Sequence, residues 1–339
     1  FVLEKGIEIR PDPLAALLLV VAGYSIARGL CDAPTVEERL GWAVLTGFAT
    51  GGTLMVSQKG IFAVIGLFAA LFVLGTRRHG RGFALLFGAL ALAGAVAATM
   101  PVLWLFAHRG ALGEFFYNNA VLVILWPRDF AVEGWRWLAL ATAKDTFFIV
   151  LVGIGLVLLG RRLSRRPQTG LGTIVVLTVV ASAIGFVVLP IAQRQYLFMT
   201  APYAAMAAAV AAGWLAERWS ADGKAWRVAA LPITVIAYFV FHAALALGHP
   251  DKITIRKLDY VLHHSEPNDT VLTGWSPGVA FRKPAFFYGF PHQEVRTFIP
   301  EAAVRQLADD LRRGRVAPVL VDFDADLQEL GLLAQTAGL

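Results

Sequence analysis

The sequence predicts an α-helical polytopic membrane protein of about eight spans, followed by a small α/β domain. Three observations carry this. The 339 residues are 57% hydrophobic and only 16% charged, whereas a soluble domain carries about 25% charged residues. The apolar residues fall in long runs, several close to the roughly 20 that a membrane helix needs. After residue 248 the long runs stop, and short apolar stretches alternate with charged amphipathic ones, the pattern of a small α/β layer. The expected domains are a membrane region over 1–248 and a soluble one over 249–339. The net charge of +6 is not a nucleic-acid signal, because the arginines sit in short clusters between apolar runs, where they set membrane orientation. The single cysteine, Cys31, cannot pair within the chain, and no Cys/His cluster has metal spacing.

In order, residues 1–12 (FVLEKGIEIRPD) are mixed and charged. The chain opens at Phe1 without a methionine, a signal peptide or a charged flank, and reads as a fragment lacking its N-terminal part. A first span covers 14–30 and a polar loop 32–39. Spans 40–56 and 61–75 are joined by Ser57-Gln58-Lys59-Gly60, which predicts a tight hairpin with one cation at its tip. The second arm is about 15 residues, roughly 22 Å at 1.5 Å per residue. That is short of a hydrocarbon core of about 30 Å, so the tip is expected to be slightly recessed. A basic loop, 76–81, precedes a span over 83–107, where Pro101 predicts a kink. Residues 108–137 read as an amphipathic interfacial segment with Trp126, Trp135 and Trp137 as belt residues. The next span ends at Gly160. Either it starts at Arg136, with Lys144 and Asp145 snorkelling, or it starts near Ala143, with both at the interface. A second basic loop (161–166), a span over 173–189, the turn Gln193-Arg194-Gln195-Tyr196, a span over 197–216, a loop over 217–226 and a last span over 228–247 follow. Beyond it the pattern predicts a helix over 253–263, a turn over 266–269, a strand over 270–275, a helix over 301–313, a strand over 316–323 and a helix over 325–334.

The positive-inside rule puts Arg77, Arg78, Arg81, Arg161, Arg162, Arg165 and Arg166 in the cytoplasm. Alternate crossings then place residues 1–12, the Lys59 tip, 108–136, the Arg194 turn and everything after His249 outside. Lys59, Arg194 and the Arg10-Pro11-Asp12 run thus share the non-cytoplasmic face, against the charge bias. Each has a plain reading. Lys59 is a snorkelling lysine beside a turn glycine, Arg194 and Tyr196 are an interfacial anchor, and Arg10-Pro11-Asp12 is a helix start. The alternative is one anion site, with ammonium and guanidinium groups directed at phosphate. Both stay open on these residues alone. Asp322, Asp324 and Asp326 have D-x-D spacing, but Asp324 as N-cap with first-turn acids explains them better than a metal does. Asn268-Asp269-Thr270 is formally a glycosylation sequon that its turn composition already explains. No G-x-S-x-G, H-E-x-x-H or Walker pattern supports a hydrolase or an ATPase.

Glu8-Ile9-Arg10-Pro11-Asp12 opening a membrane helix, Gly47 to Gly60 (GFATGGTLMVSQKG) ending in a lysine hairpin, and Arg194-Gln195-Tyr196 before an alanine-rich helix resemble the polyprenyl-phosphate-sugar-dependent transferases. These are bacterial relatives of the dolichyl-phosphate-mannose protein mannosyltransferases, in the GT-C superfamily. The resemblance implies sugar transfer from a polyprenyl-phosphate donor to a lipid, glycan or protein acceptor at the outer face of the cytoplasmic membrane, with 249–339 extracytoplasmic. It implies donor-phosphate contacts from Lys59, Arg194 and Arg10, with Asp12, Gln195 and Tyr196 as further substrate contacts. The catalytic acid is expected in a first external loop upstream of Phe1. No cofactor is implied with certainty, and a divalent metal stays open. In such chemistry a carboxylate deprotonates the attacking acceptor, and fixed cations stabilise the charge that grows on the leaving phosphate. A polysaccharide polymerase or ligase is the nearest rival, expected to carry its large loop between spans. A transporter or flippase would favour an internal repeat and broken helices with midplane polar groups.

Overall fold

The computed structural model describes residues 12–117, 121, 145–165, 170–188, 199–223, 226, 232–238, 240, 244, 259–260, 262–273, 283–284, 301–313 and 319–320. The chain divides into two compact units, Phe1–Ala246 and Leu247–Leu339.

In the first unit, α1 (Asp12–Ala27) opens with an acid in its first turn and ends in a π-helical turn, Arg28–Asp32. Three residues later α2 (Val36–Val56) begins, capped by Thr35, whose hydroxyl accepts the Glu38 N–H at 3.2 Å. Thr35-Val36-Glu37-Glu38 is a capping-box sequence, and the two glutamates suit the positive end of the helix. Extended backbone at Ser57 stops α2. The 3₁₀ turn Gln58–Gly60 then leads into α3 (Ile61–His79). A single residue, Gly80 at φ 87°, separates α3 from α4 (Arg81–His108). A short α5 (Leu112–Phe116) follows, then α6 (Thr146–Arg165), α7 (Gly170–Val188) and α8 (Ala201–Ala221).

Small residues let these helices approach closely, the usual device where lipid supplies no hydrophobic drive between them. Along the α2–α4 seam, Gly47 faces Ala91 and Gly51 faces Ala95, so the two helices run parallel on either side of the connection through α3. A Cβ at Gly51 would lie 2.5 Å from the Ala95 carbonyl oxygen, and one at Gly94 2.5 Å from that of Val44. The buried hydroxyls of α2 are satisfied within it: Thr46, Thr50 and Thr53 donate to Trp42, Thr46 and Ala49 carbonyls at 2.9, 3.0 and 2.8 Å. Gly66 of α3 meets Leu177 and Thr178 of α7, and Gly155 of α6 meets Ala207 of α8. Tyr203 of α8 reaches α1, packing on Gly23 and donating to the Leu19 carbonyl at 2.5 Å. Leu19, Ile26, Leu67, Leu71, Leu74, Phe87 and Ile174 fill the centre. Leu85, Leu92, Val96, Met100 and Trp104 of α4 are exposed, as a lipid-facing stripe requires.

Five helical stretches are long and apolar enough to cross a membrane: Asp12–Asp32, Gln58–His79, Arg81–His108, Thr146–Leu163 and Gly170–Val188. This fits a multi-pass membrane protein, with five such stretches among the described residues where eight spans were expected. The 21-residue helices α2 and α8 form but are less apolar, diluted by threonine and glycine in one and by alanine and terminal charges in the other. The expected last span, 228–247, lies mostly outside the described residues. Two boundaries are corrected. The short second arm is a 19-residue helix, because α3 continues through Thr76, Arg77, Arg78 and His79, and the expected basic loop shrinks to Gly80. The loop over 32–39 shrinks likewise, since α2 already starts at Val36. The start left open between two alternatives falls near the later one: α6 starts at Thr146 with Asp145 just before it, and Asp145 accepts the Tyr238 hydroxyl at 2.5 Å. Helix α4 runs through Pro101 without interruption.

In the second unit β1 (Thr270–Thr273) pairs in parallel with both β2 (Lys283–Pro284) and β3 (Val319–Leu320), in the order β2-β1-β3. Helix α9 (Glu301–Arg312) lies between β2 and β3 in the chain. Asp269 shapes the turn before β1 by accepting the Glu266 N–H at 2.7 Å. The strand β2 was not anticipated, since Pro284 argues against a strand, yet an outer position in the order is where proline is tolerated. The expected helix over 325–334 lies outside the described residues.

Candidate functional site

Lys59 does not stand alone at the hairpin tip. Asp12, in the first turn of α1, is brought against it, with its two carboxylate oxygens 3.5 and 3.4 Å from the Lys59 ammonium. Ser57 donates its hydroxyl to Asp12 Oδ1 at 3.2 Å. The local sequence explains the placement. Ser57 ends α2 in extended backbone, and the 3₁₀ turn brings Lys59 to the first turn of α1. Gly60 meets the Thr53 methyl so closely that a Cβ there would lie 2.6 Å from it, which keeps the turn tight. Two helix N-termini, those of α1 and α3, therefore converge on one carboxylate and one ammonium. Helix N-termini favour anions and disfavour cations, so Asp12 stabilises a lysine whose position is otherwise unfavourable.

The pair is asymmetric. The Lys59 side chain is 27% exposed and that of Asp12 6%, so the ammonium is the outer member and the carboxylate the inner one. Ion-paired N–H···O contacts usually fall at about 2.7–2.9 Å. At 3.4–3.5 Å the ammonium straddles both oxygens instead of closing on one.

The far end of α1 is built differently. His79 Nε2 lies 3.0 Å from the Leu30 carbonyl, Arg78 Nη1 donates to that of Cys31 at 3.4 Å, and Arg39 Nε to that of Ala33 at 2.9 Å. A carbonyl only accepts, so Nε2 of His79 carries the proton there. Side-chain N–H donors from α2 and α3 thus satisfy carbonyls that a helix end leaves open. Arg77 and Arg81 remain exposed beside them.

Of the residues singled out from the sequence, Asp12 and Lys59 come together. Arg10, Arg194, Gln195, Tyr196, Asp322, Asp324 and Asp326 lie outside the described residues. Ser57 was missed as a participant, although a hydroxyl two positions before the lysine in a four-residue tip was a visible signal. No cluster of His, Cys, Asp and Glu among the described residues could hold a metal ion. No family model, curated protein or solved structure matches this chain.

Proposed function

We propose that the chain is the membrane-embedded part of a transferase that moves a sugar from a polyprenyl-phosphate donor to a lipid, glycan or protein acceptor at the outer face of the cytoplasmic membrane. The observation that supports this best is the Asp12–Ser57–Lys59 group, an ammonium presented at one end of a helix bundle where two helix N-termini meet. In this reading α2, α8 and 228–247 are further spans, which makes eight. The Lys59 end faces outward, and residues 249–339 form a small extracytoplasmic α/β domain. Lys59 takes the donor phosphate, with Arg194 and Arg10 completing the cation set and Gln195 and Tyr196 contacting substrate. The leaving polyprenyl phosphate gains charge as the glycosidic bond breaks. An ammonium already fixed beside it stabilises that state more than the bound donor, which raises kcat as well as affinity.

The test is transfer of labelled sugar from a polyprenyl-phosphate donor by the full-length protein in lipid nanodiscs. Lys59→Met is expected to lower kcat by about 10²-fold or more, ~2.7 kcal/mol on the scale of a single charge-stabilising donor. Lys59→Arg should recover only part, because a planar fork does not replace a compact ammonium in a tight turn. Normal turnover per folded Lys59→Met molecule would overturn the role of Lys59 and leave the pair as a clamp between α1 and the hairpin.

A further inference from the structure

We infer that Asp12, locked by Ser57, is a positioning residue that holds the Lys59 ammonium toward an arriving phosphate, and that it is neither a substrate contact nor a mere clamp. This rests on the reading of Lys59 as the donor-phosphate cation. Three features of the geometry carry it. The carboxylate is the inner member of the pair and the ammonium the outer one, at 6% and 27% side-chain exposure, so of the two it is the ammonium that an arriving ligand can reach. Asp12 is itself fixed, through Ser57 at 3.2 Å and through its place in the first turn of α1. The ammonium spans both carboxylate oxygens at 3.4 and 3.5 Å, so it is aimed by the carboxylate without being closed onto either oxygen. A lysine stem is flexible and carries about 2 kcal/mol of rotamer entropy. A fixed carboxylate behind the ammonium removes much of that freedom before the ligand arrives, and pre-organisation of this kind raises affinity.

The experiment measures binding of a short-chain polyprenyl phosphate to the full-length protein in detergent, with the unfolding midpoint recorded for each variant. Inorganic phosphate is run as a second ligand. Asp12→Asn removes the charge that aims Lys59 and should weaken binding about tenfold. Asp12→Glu, which keeps the charge on a longer stem, should restore part of the loss. The exchange Asp12→Lys with Lys59→Asp should recover the midpoint, since an ion pair is present again, but not the binding, since the ammonium is now the inner member. Binding by Asp12→Asn that is unchanged or tighter overturns the inference, as does an exchanged pair that binds like the natural one. Should the exchange fail to fold, the Asn and Glu variants decide, and equal binding by those two overturns the positioning role. If Lys59→Met binds as the natural protein does, or the natural protein binds no polyprenyl phosphate, the functional reading falls and the inference with it. Inorganic phosphate that binds as tightly as the lipid, with the Asp12 effects intact, overturns the lipid donor and leaves the positioning role standing.

Discussion

The two ends of α1 carry charge in opposite ways. At its start a buried carboxylate faces the positive end of the helix and holds one ammonium. At its finish His79, Arg78 and Arg39 meet the carbonyls of Leu30, Cys31 and Ala33. Both arrangements complement the helix dipole, so the dipole does not distinguish them. The partner does. The donors at the finish are tied to backbone atoms that cannot move without unwinding the helix, which suits a fixed joint. The cation at the start is tied to a side chain, at a distance that leaves room to readjust, which suits a group that must also meet a ligand. The two ends of α1 therefore divide by what their donors rest on, and the proposed site is the end where a side chain holds the ammonium.

The largest effect tests whether the two ends lie on opposite sides of a membrane. In a Cys31→Ser background, Gln58→Cys and Arg81→Cys, both at exposed positions, should be labelled by a membrane-impermeant thiol reagent from opposite sides of sealed vesicles. Labelling from the same side would break the comparison outright. The next effect concerns stability. Lys59→Met leaves Asp12 buried without its counter-charge and should destabilise the protein by about 3 kcal/mol, the scale for breaking a buried pair by removing one partner. Adding Asp12→Asn removes the stranded charge, so the double variant should be more stable than the single in a denaturant or thermal titration. Equal stability of the two would show that the stranded carboxylate carries no cost and would remove the ion pair's part in stability. The smallest effect belongs to the other end. Arg78→Met loses the bond to the Cys31 carbonyl, which should itself cost about 1 kcal/mol, with polyprenyl-phosphate binding unchanged. A loss of binding there would erase the distinction between joint and site.

Much of this was legible from the residues. The apolar runs placed the long helices, and the alternation of basic clusters put Asp12 and Lys59 at the same end before any contact was known. The contact itself was not legible, because it joins residues 47 positions apart and neither carries a signal for the other. Helix ends were misjudged in one direction, too short, at both α2 and α3. Apolar runs stop at the first charge, whereas the helices continue: Thr35 caps α2 ahead of Glu37, Glu38 and Arg39, and Arg77, Arg78 and His79 extend α3 because carbonyls of the neighbouring helix end receive two of them. Counting spans from hydropathy likewise blurred two kinds of helix. A stretch such as Gly170–Val188 sets Thr173, Thr178 and Ser182 among valines, isoleucines and leucines and stays strongly apolar, while α2 adds charged residues at its start to three threonines whose hydroxyls return to its own backbone. In the second unit, β1 and α9 followed the pattern, but β2 was hidden by Pro284.

The parallel seam between α2 and α4 bears on how the chain is made. Ribosomes deliver α2 first, then α3, and only then the helix that α2 fits. Until α4 has emerged, Gly47 and Gly51 have no surface to close against, and α2 is among the less apolar long helices of the first unit. Its place in the bundle thus depends on a segment synthesised some 40 residues later, on the far side of the Lys59 turn and of Gly80. A nascent chain arrested after His79 would hold α2 only provisionally. Release past Arg81 and on through Ala95 is what fixes it, and with it the hairpin tip that carries Lys59.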